Sequence, residues 1–274
     1  MSGRLSGLGQ RPLMPMTTIV QALMIIVGLA LGALWPRGGR ALAVFSRDAL
    51  INVATGAALF PVRLGLTMLG VRLAQGADPG LSGFIDLGSL RAPPLQFLFT
   101  FVLLDFSKYW LHRAHHRIPL LWSFHRVHHS TESIDATAGL RMHLVDFLQL
   151  TAVPVLLFGV LFDITAFAPW VLPVAICVGI VADTFSHMHV EFPHTNPVCR
   201  ALLYVFNNPL FHSWHHTRDG VLRDGNYANA LPVWDLLFRS DVTQHEPPAL
   251  YGIGGDQRLV NDVLGLQLLR PRTD

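Results

Sequence analysis

Residues 17–35 read TTIVQALMIIVGLALGALW and contain no charged side chain. At about 1.5 Å rise per residue a helix of this length nearly matches a hydrocarbon core of about 30 Å. A segment surrounded by lipid must satisfy its own backbone, which here selects the α-helix. Residues 49–74 form a second apolar stretch, interrupted by Pro61 and Arg63, and residues 95–111, 144–162 and 164–185 supply three more, the last with Pro169 and Pro173. Membrane helices tolerate such prolines where neighbours re-satisfy the backbone. The chain is 51% hydrophobic and only 14% charged, whereas a soluble domain carries about a quarter charged residues. These observations predict an all-α integral membrane protein with about four to five transmembrane helices and a cytoplasmic helical cap. Arg4 and Arg11 precede the first stretch, and Ala41-Leu42-Ala43 loosely resembles a cleavage site. The apolar run exceeds the roughly 7–15 residues of a signal peptide, so an uncleaved helix is expected.

Thirteen of the 14 histidines fall between His112 and His216, and the spacing His-x-x-His-His occurs three times: His112-His115-His116, His125-His128-His129 and His212-His215-His216. On a helix, positions i, i+3 and i+4 share a face, so each triplet can aim several imidazoles at one point. Neutral imidazole binds zinc, iron, copper and nickel, and a shell with few carboxylates disfavours magnesium or calcium. A single site needs about three or four protein ligands, so nine imidazoles suit two metals better than one. His187, with His189 beside it, is a further candidate at the end of the last apolar stretch. Asp105, seven residues before His112, and Asp183, four before His187, would share the helical faces of those histidines and hold their second ring proton. An acid inside an apolar stretch is costly and marks function by default. Glu132, Asp135 and Glu191 read as solvated loop acids, and Arg113, Arg126 and Arg218 as interfacial charges.

Histidines that share metals must emerge on one side of a bilayer. A hairpin of residues 144–162 and 164–185 around Asp163 returns the third triplet to the side of the first two. That side also holds Arg113, Arg117, Arg126, Arg141, Arg200, Arg218 and Arg223, which the positive-inside rule assigns to the cytoplasm. Arg37, Arg40 and Arg47 agree, whereas Arg4 and Arg11 would lie outside. Pro119 should end the helix carrying the first triplet and let the next begin near Trp122. No linker divides the chain, so residues 1–274 read as a single membrane domain, with residues 95–240 as the histidine-bearing region. Cys177 and Cys199 read as buried small hydrophobes rather than a disulfide or metal pair. A net charge of +2, with no basic run interleaved with aromatics, argues against nucleic acid as a partner.

The segment from Asp105-Phe-Ser-Lys-Tyr-Trp-Leu-His112 to His116, then Trp122-Ser-Phe-His125 to Ser130, resembles the fatty acid hydroxylase and sterol desaturase superfamily. So do Pro209-Leu-Phe-His212 to His216, Asp224-Gly-Asn226-Tyr227 and Leu231-Pro-Val-Trp234-Asp235-Leu-Leu-Phe238. The resemblance covers roughly residues 95–240 and lies in motif order as well as residue type. It implies a di-iron centre at the cytosolic membrane face, using molecular oxygen to hydroxylate or desaturate a lipid. Its histidine elements fall on His112 and His116, on His125, His128 and His129, on His212, His215 and His216, and on the isolated His187. His115 is an extra relative to that pattern, and His189 stands where asparagine is often found, as a ligand or a donor behind one. Arg141-Met-His143 resembles a further element, with Asp146 where glutamate is usual, while Ala228 and Arg239-Ser240 replace a glycine and a Gly-Thr pair.

No haem-binding segment or nucleotide fingerprint is visible, so electrons are expected from a separate donor of ferredoxin or cytochrome type with its reductase. Two other classes remain as alternatives. A membrane zinc hydrolase would act without oxygen, and the chain lacks the HExxH arrangement of a general base. A metal transporter or sensor would place histidines and acids along several spans rather than at one face.

Overall fold

Helix α1 (Met14–Leu34) turns its polar residues inward: Thr17 and Gln21 are each 7% exposed, while Ile19, Leu23 and Ile26 are more than half exposed. An apolar outer face around a more polar inner stripe is the reverse of a water-soluble helix and suits a lipid solvent. The computed structural model describes residues 14–39, 46–74, 83–191, 196–202, 204–242, 244–254 and 263–268. Arg4, Arg11, Arg40 and the Ala41–Ala43 stretch, which bear on the expected topology and cleavage, lie outside them.

Among the described residues three helical stretches are long and apolar enough to cross a membrane: Met16–Leu34, Arg47–Leu66 and Leu144–Leu161. The second belongs to α2 (Arg47–Ala74). The third is composite, running through α5 (Leu144–Phe147), a π turn (Leu148–Ala152) and α6 (Val153–Leu161). Pro154 has no N–H for the ordinary ladder, and the chain widens its winding just before it. Helix α3 (Pro93–Arg117) spans 25 residues but carries Asp105, Lys108 and Arg113. Helix α7 (Val171–His187) is apolar and shorter, at 17 residues.

The expected hairpin around Asp163 is present, with a later restart than the apolar run suggested. Phe162–Asp163 (β2) pairs in parallel with Ile85–Asp86 (β1). The Asp163 carboxylate accepts from the Thr165 amide and hydroxyl, and Pro169 disfavours helix in the residue before it. Residues 164–170 therefore turn, and α7 begins only at Val171. Its first half packs with α3 and α6 in a core of Leu104, Phe158, Ile164, Phe167, Leu172 and Ala175.

At the histidine ends of α3 and α7 lie short elements: α4 (Pro119–His125) packs on α3, α8 (Pro197–Leu202) precedes α9 (Pro209–His215), which packs on α7, and α10 (Val233–Leu237) and α11 (Val263–Leu268) follow. Pro119 ends α3 as expected, with Ile118 extended between the helices, and α4 begins at the proline itself. Gly28 lets α1 close on this region, because a Cβ there would meet Ala136 Cβ at 2.6 Å and Met188 Cγ at 2.9 Å.

Three side-chain expectations change. Arg141, counted among the arginines that the positive-inside rule assigns to the cytoplasmic side, is fully buried: its guanidinium donates to Asp48 Oδ1 at 3.0 Å and to Ser130 Oγ at 2.9 Å. Asp135, read as a solvated acid, is buried and accepts from the amide and hydroxyl of Thr137. Cys177 is buried as expected, whereas Cys199 on α8 is partly exposed. In the first two cases a local partner replaces water, which spacing along a sequence does not display.

Candidate metal centre

The three triplets interlock in space. His112, His116, His125, His129 and His215 form one group and His128, His187, His212 and His216 a second, the ligand nitrogens within each group lying within 4.8 Å of one another. Helical geometry explains the sorting. Residues at i and i+4 are about 40° apart around the axis, whereas i+3 and i+4 are about 100° apart. His125 and His129 thus point one way and His128 the other, while His212 and His216 join the second group and His215 crosses to the first. The groups share a wall, with the His129 and His216 rings stacked at 4.4 Å.

The nitrogens face each other at close range. His112 Nε2 lies 2.9 Å from both His125 Nε2 and His215 Nε2, and His125 Nε2 lies 3.2 Å from His129 Nε2. In the second group His187 Nε2 is 3.2 Å from His128 Nε2 and 3.1 Å from His212 Nε2, which is 3.2 Å from His216 Nε2. Ligands at right angles around a metal with bonds of about 2.1 Å are separated by about 3.0 Å.

Hydrogen bonds decide which of these nitrogens carry protons. His112 Nδ1 donates to Tyr227 O at 2.7 Å and His215 Nδ1 to Gly225 O at 2.8 Å. A carbonyl only accepts, so in the neutral ring the proton is on Nδ1 and Nε2 bears a lone pair. Two lone pairs 2.9 Å apart repel unless a cation lies between them. The second group repeats the arrangement: His187 Nδ1 donates to Asp183 O at 2.7 Å and His128 Nδ1 to Arg141 O at 3.3 Å. His116 Nε2 is buried with no hydrogen-bond partner, while its Nδ1 faces Asp224 Oδ1 at 3.3 Å.

Burial first, and then the neighbouring imidazoles, hold His128, His129, His212, His215 and His216 well below the ordinary imidazole value. His125 is lowered by burial and then by His115 and Arg223. Neutral rings of this kind are ready ligands. Behind them, burial pushes the Asp235 carboxyl up to about 6, against the pull of Ser240 and of the Tyr227 and Ala228 amides.

Of the other residues singled out in the sequence, His115 lies outside both groups. As the i+3 member of its triplet it points away, with Nδ1 to Leu111 O and Nε2 to Gln149 Oε1 at 2.8 Å. His189 is in neither group, and its carbonyl accepts from the Arg37 amide. His143 caps α5, accepting from Val145 N, and its Nε2 donates to Gln267 O. Asp105 accepts from the amides of Ala230 and Leu231 and from Trp234 Nε1, clamping the 230–234 segment onto α3. Asp183 touches His187 mainly through its carbonyl, its carboxylate standing 3.9 Å from Nδ1.

Sequence reasoning passed over two supports. Asp146 is fully buried, with His125 Nδ1 at 3.1 Å and His115 Nε2 at 3.4 Å from its Oδ1; its place after Arg141-x-His143 was the available signal. The loop Asp224-Gly-Asn-Tyr227 grips three histidines, through the Asp224 carboxylate and the Gly225 and Tyr227 carbonyls. A backbone carbonyl has no residue type, so spacing alone gave no sign of two of these contacts.

A cavity of about 660 Å³ lies between α3, α6 and α7 and opens onto His112, His125, His128, His187 and His212.

The histidine-bearing part of the chain is similar in sequence to known proteins. The chain is 31% identical over 171 residues to an alkylglycerol monooxygenase of Xenopus tropicalis, covering 58% of this chain and 33% of that protein. It is 31% identical over 191 residues to the ornithine lipid hydroxylase OlsE of Rhizobium tropici, covering 66% of this chain and 52% of that protein. With the fatty acid hydroxylase vlmA of a Lecanicillium species it shares 33% identity over 151 residues, covering 50% of this chain and 39% of that protein. The matched region thus spans between a third and about half of the length of these relatives. No solved structure matches the chain significantly. The pattern that defines the family described as "Fatty acid hydroxylase" matches residues 97–240, more than half of the chain and the whole stretch from the second turn of α3 past the last histidine of the two groups. The chain therefore belongs to the fatty acid hydroxylase family.

Proposed function

We propose that this protein is a membrane-bound di-iron oxygenase that uses molecular oxygen and external electrons to hydroxylate, or desaturate, a lipid. The observation that carries the reading is the meeting of acceptor nitrogens: His112 and His215 in one group, and His128 and His187 in the other, spend their ring protons on carbonyls and face each other through lone pairs. Iron fits an imidazole donor set without thiolate, and the family relationship favours it over zinc. His112, His116, His125, His129 and His215 would hold one ion and His128, His187, His212 and His216 the other. When bound, the irons supply the oxygen chemistry that an unactivated carbon–hydrogen bond requires.

The chain's own residues supply position and dryness. Asp146, Asp224 and the carbonyls of Arg141, Asp183, Gly225 and Tyr227 fix ring orientation and tautomer. The cavity wall, including Phe101, Leu104, Phe167, Leu172 and Ile176, accepts hydrocarbon and excludes water from the reacting end. In hydroxylation one oxygen atom enters the C–H bond and the other leaves as water, consuming two electrons and two protons from a separate donor. Residues 1–274 are read as one membrane domain, with 95–240 as the catalytic region at its cytoplasmic face and Asp105 and Asp183 in support.

Turnover of candidate lipids under isotopically labelled oxygen gas, with a chemical or protein reductant, tests this reading. Labelled hydroxyl or a loss of two hydrogens is expected only with reductant present, and His125→Ala, His128→Ala or His216→Ala should abolish it. Label entering from water without reductant would point instead to a hydrolase. Metal moving across proteoliposomes without oxygen consumption would point to a transporter.

A further inference from the structure

Helix α1 closes one side of the cavity with Thr17 and Gln21, which lie about one turn apart on its inner face. Their depth follows from two contacts with the chain around the end of α7. A Cβ on Gly28 would meet the side chain of Met188, the residue after His187, so α1 and α7 stand level there. Further on, Trp35 O accepts from the Glu191 amide, so the two packed helices run the same way. Gln21 comes seven residues before Gly28, about 10 Å along the axis toward the apolar end. Gly179, Ile180 and Asp183 line the cavity on α7 near that depth.

Gln21 is 7% exposed, and its side-chain amide makes no hydrogen bond with any described residue. Other amides of the same wall are engaged. Asn229 accepts from Lys108 Nζ and donates to Gly179 O, and Asn207 donates to Ala228 O. Polar side chains of membrane helices ordinarily bond across to a neighbouring helix. The Gln21 carboxamide instead turns two N–H donors and an acceptor oxygen toward the cavity. A buried amide left unpaired is costly to keep.

The charges of the wall are already matched. Asp105 acts on Lys108 and Asp183 acts on Arg63, so each cation faces an acid. A lipid bearing a net charge at this depth would upset that balance, whereas an uncharged one leaves it intact.

We propose that Gln21 is a substrate-binding residue whose carboxamide pairs with an uncharged group of the lipid that both donates and accepts, a hydroxyl or a carboxamide. This assignment takes the cavity as the seat of the lipid, as the oxygenase reading does. The pairing satisfies the Gln21 amide in a site that excludes water, and a plain alkyl chain cannot supply it. A site built to hydrogen-bond its ligand rejects an analogue that lacks the partner group.

Binding tests the assignment apart from catalysis. Hexadecanol, hexadecanamide, palmitate and hexadecane are titrated against the metal-loaded full chain in uncharged maltoside micelles at alkaline pH, by displacement of a fluorescent alkane. Each affinity is expressed against the mole fraction of probe in the micelle. Gln21→Met should weaken the better of hexadecanol and hexadecanamide about fivefold relative to hexadecane, the scale of one net hydrogen bond. The better of the two names the lipid's group. Without lipid, Gln21→Met should unfold thermally no earlier than the parent, because it removes a group that bonds nothing in the fold. An unchanged ratio in Gln21→Met would overturn the assignment. So would palmitate binding more tightly than both uncharged polar probes, or a marked loss of lipid-free thermal stability in Gln21→Met, which would make Gln21 a support of the fold. Gln21-dependent preference for a polar probe without oxygen-dependent turnover would leave the assignment standing and count against the oxygenase instead.

Discussion

At the scale of residues, the imidazoles are committed before any metal arrives. Asp146 faces both His125 and His115, so Asp146→Asn should weaken metal binding in the first group by about 10–100-fold, the usual effect of losing a carboxylate behind a metal-bound histidine. Metal release into a chelator measures it, and unchanged release would deny Asp146 that role. Gly225 sits where a Cβ would meet Val242 Cγ2 at 2.6 Å and the Ser240 carbonyl at 2.7 Å. Gly225→Ala must therefore shift the loop that holds His112, His116 and His215. It is expected to lower occupancy of the first group while sparing the second, as read by metal analysis against the Gly139→Ala variant beside Asp183. The histidines were legible because their type and spacing are distinctive. Their partners were not, since carbonyls carry no type and Asp105, chosen for its helical register, turned out to hold amides instead. Arg239 was legible only in part: it replaces a glycine of the family pattern, and its φ of 53° lies in the left-handed region that glycine adopts without steric cost.

At the scale of elements, burial of so many neutral imidazoles makes metal-free stability depend on pH. Their folded values are depressed, so below about pH 6.5 the unfolded chain binds more protons than the folded one, and stability present above that point is lost as pH falls. Thermal unfolding of the chelated protein should show a progressive drop from about pH 7 toward pH 5; a flat profile would contradict the burial of the two groups. The start of α2 is tied to the second triplet through Asp48, which accepts from Arg141 and from the amides of Glu132 and Ser133. Arg141→Met leaves Asp48 without its cation and should destabilise the protein by about 3–5 kcal/mol, measured by chemical unfolding in micelles. An effect below about 1 kcal/mol would class the pair with weak surface ion pairs. The apolar stretches located α1, α2 and the composite α5–α6 correctly because hydropathy reports length directly. It failed at residues 164–170, where Asp163 and Pro169 impose a turn on an apolar sequence.

At the scale of the whole molecule, α3, α4, α7 and α9 meet at one end of the apolar bundle, and each delivers histidines from a distant part of the chain. Sequence order anticipated that convergence. It did not anticipate the exchange of one histidine between the second and third triplets, which follows from the 100° turn per residue and appears only once the helices are docked. The exchange means that neither group is assembled from one segment, so removing a single histidine should empty one group and leave the other.

Metal quantification on the purified full chain tests this most directly. About two irons per chain are expected in the parent protein, with about one remaining in each of His129→Ala and His187→Ala, as befits a two-metal site built from separate ligand sets. A parent chain that binds one metal or none after loading, or loss of both ions in each variant, would contradict two separate groups.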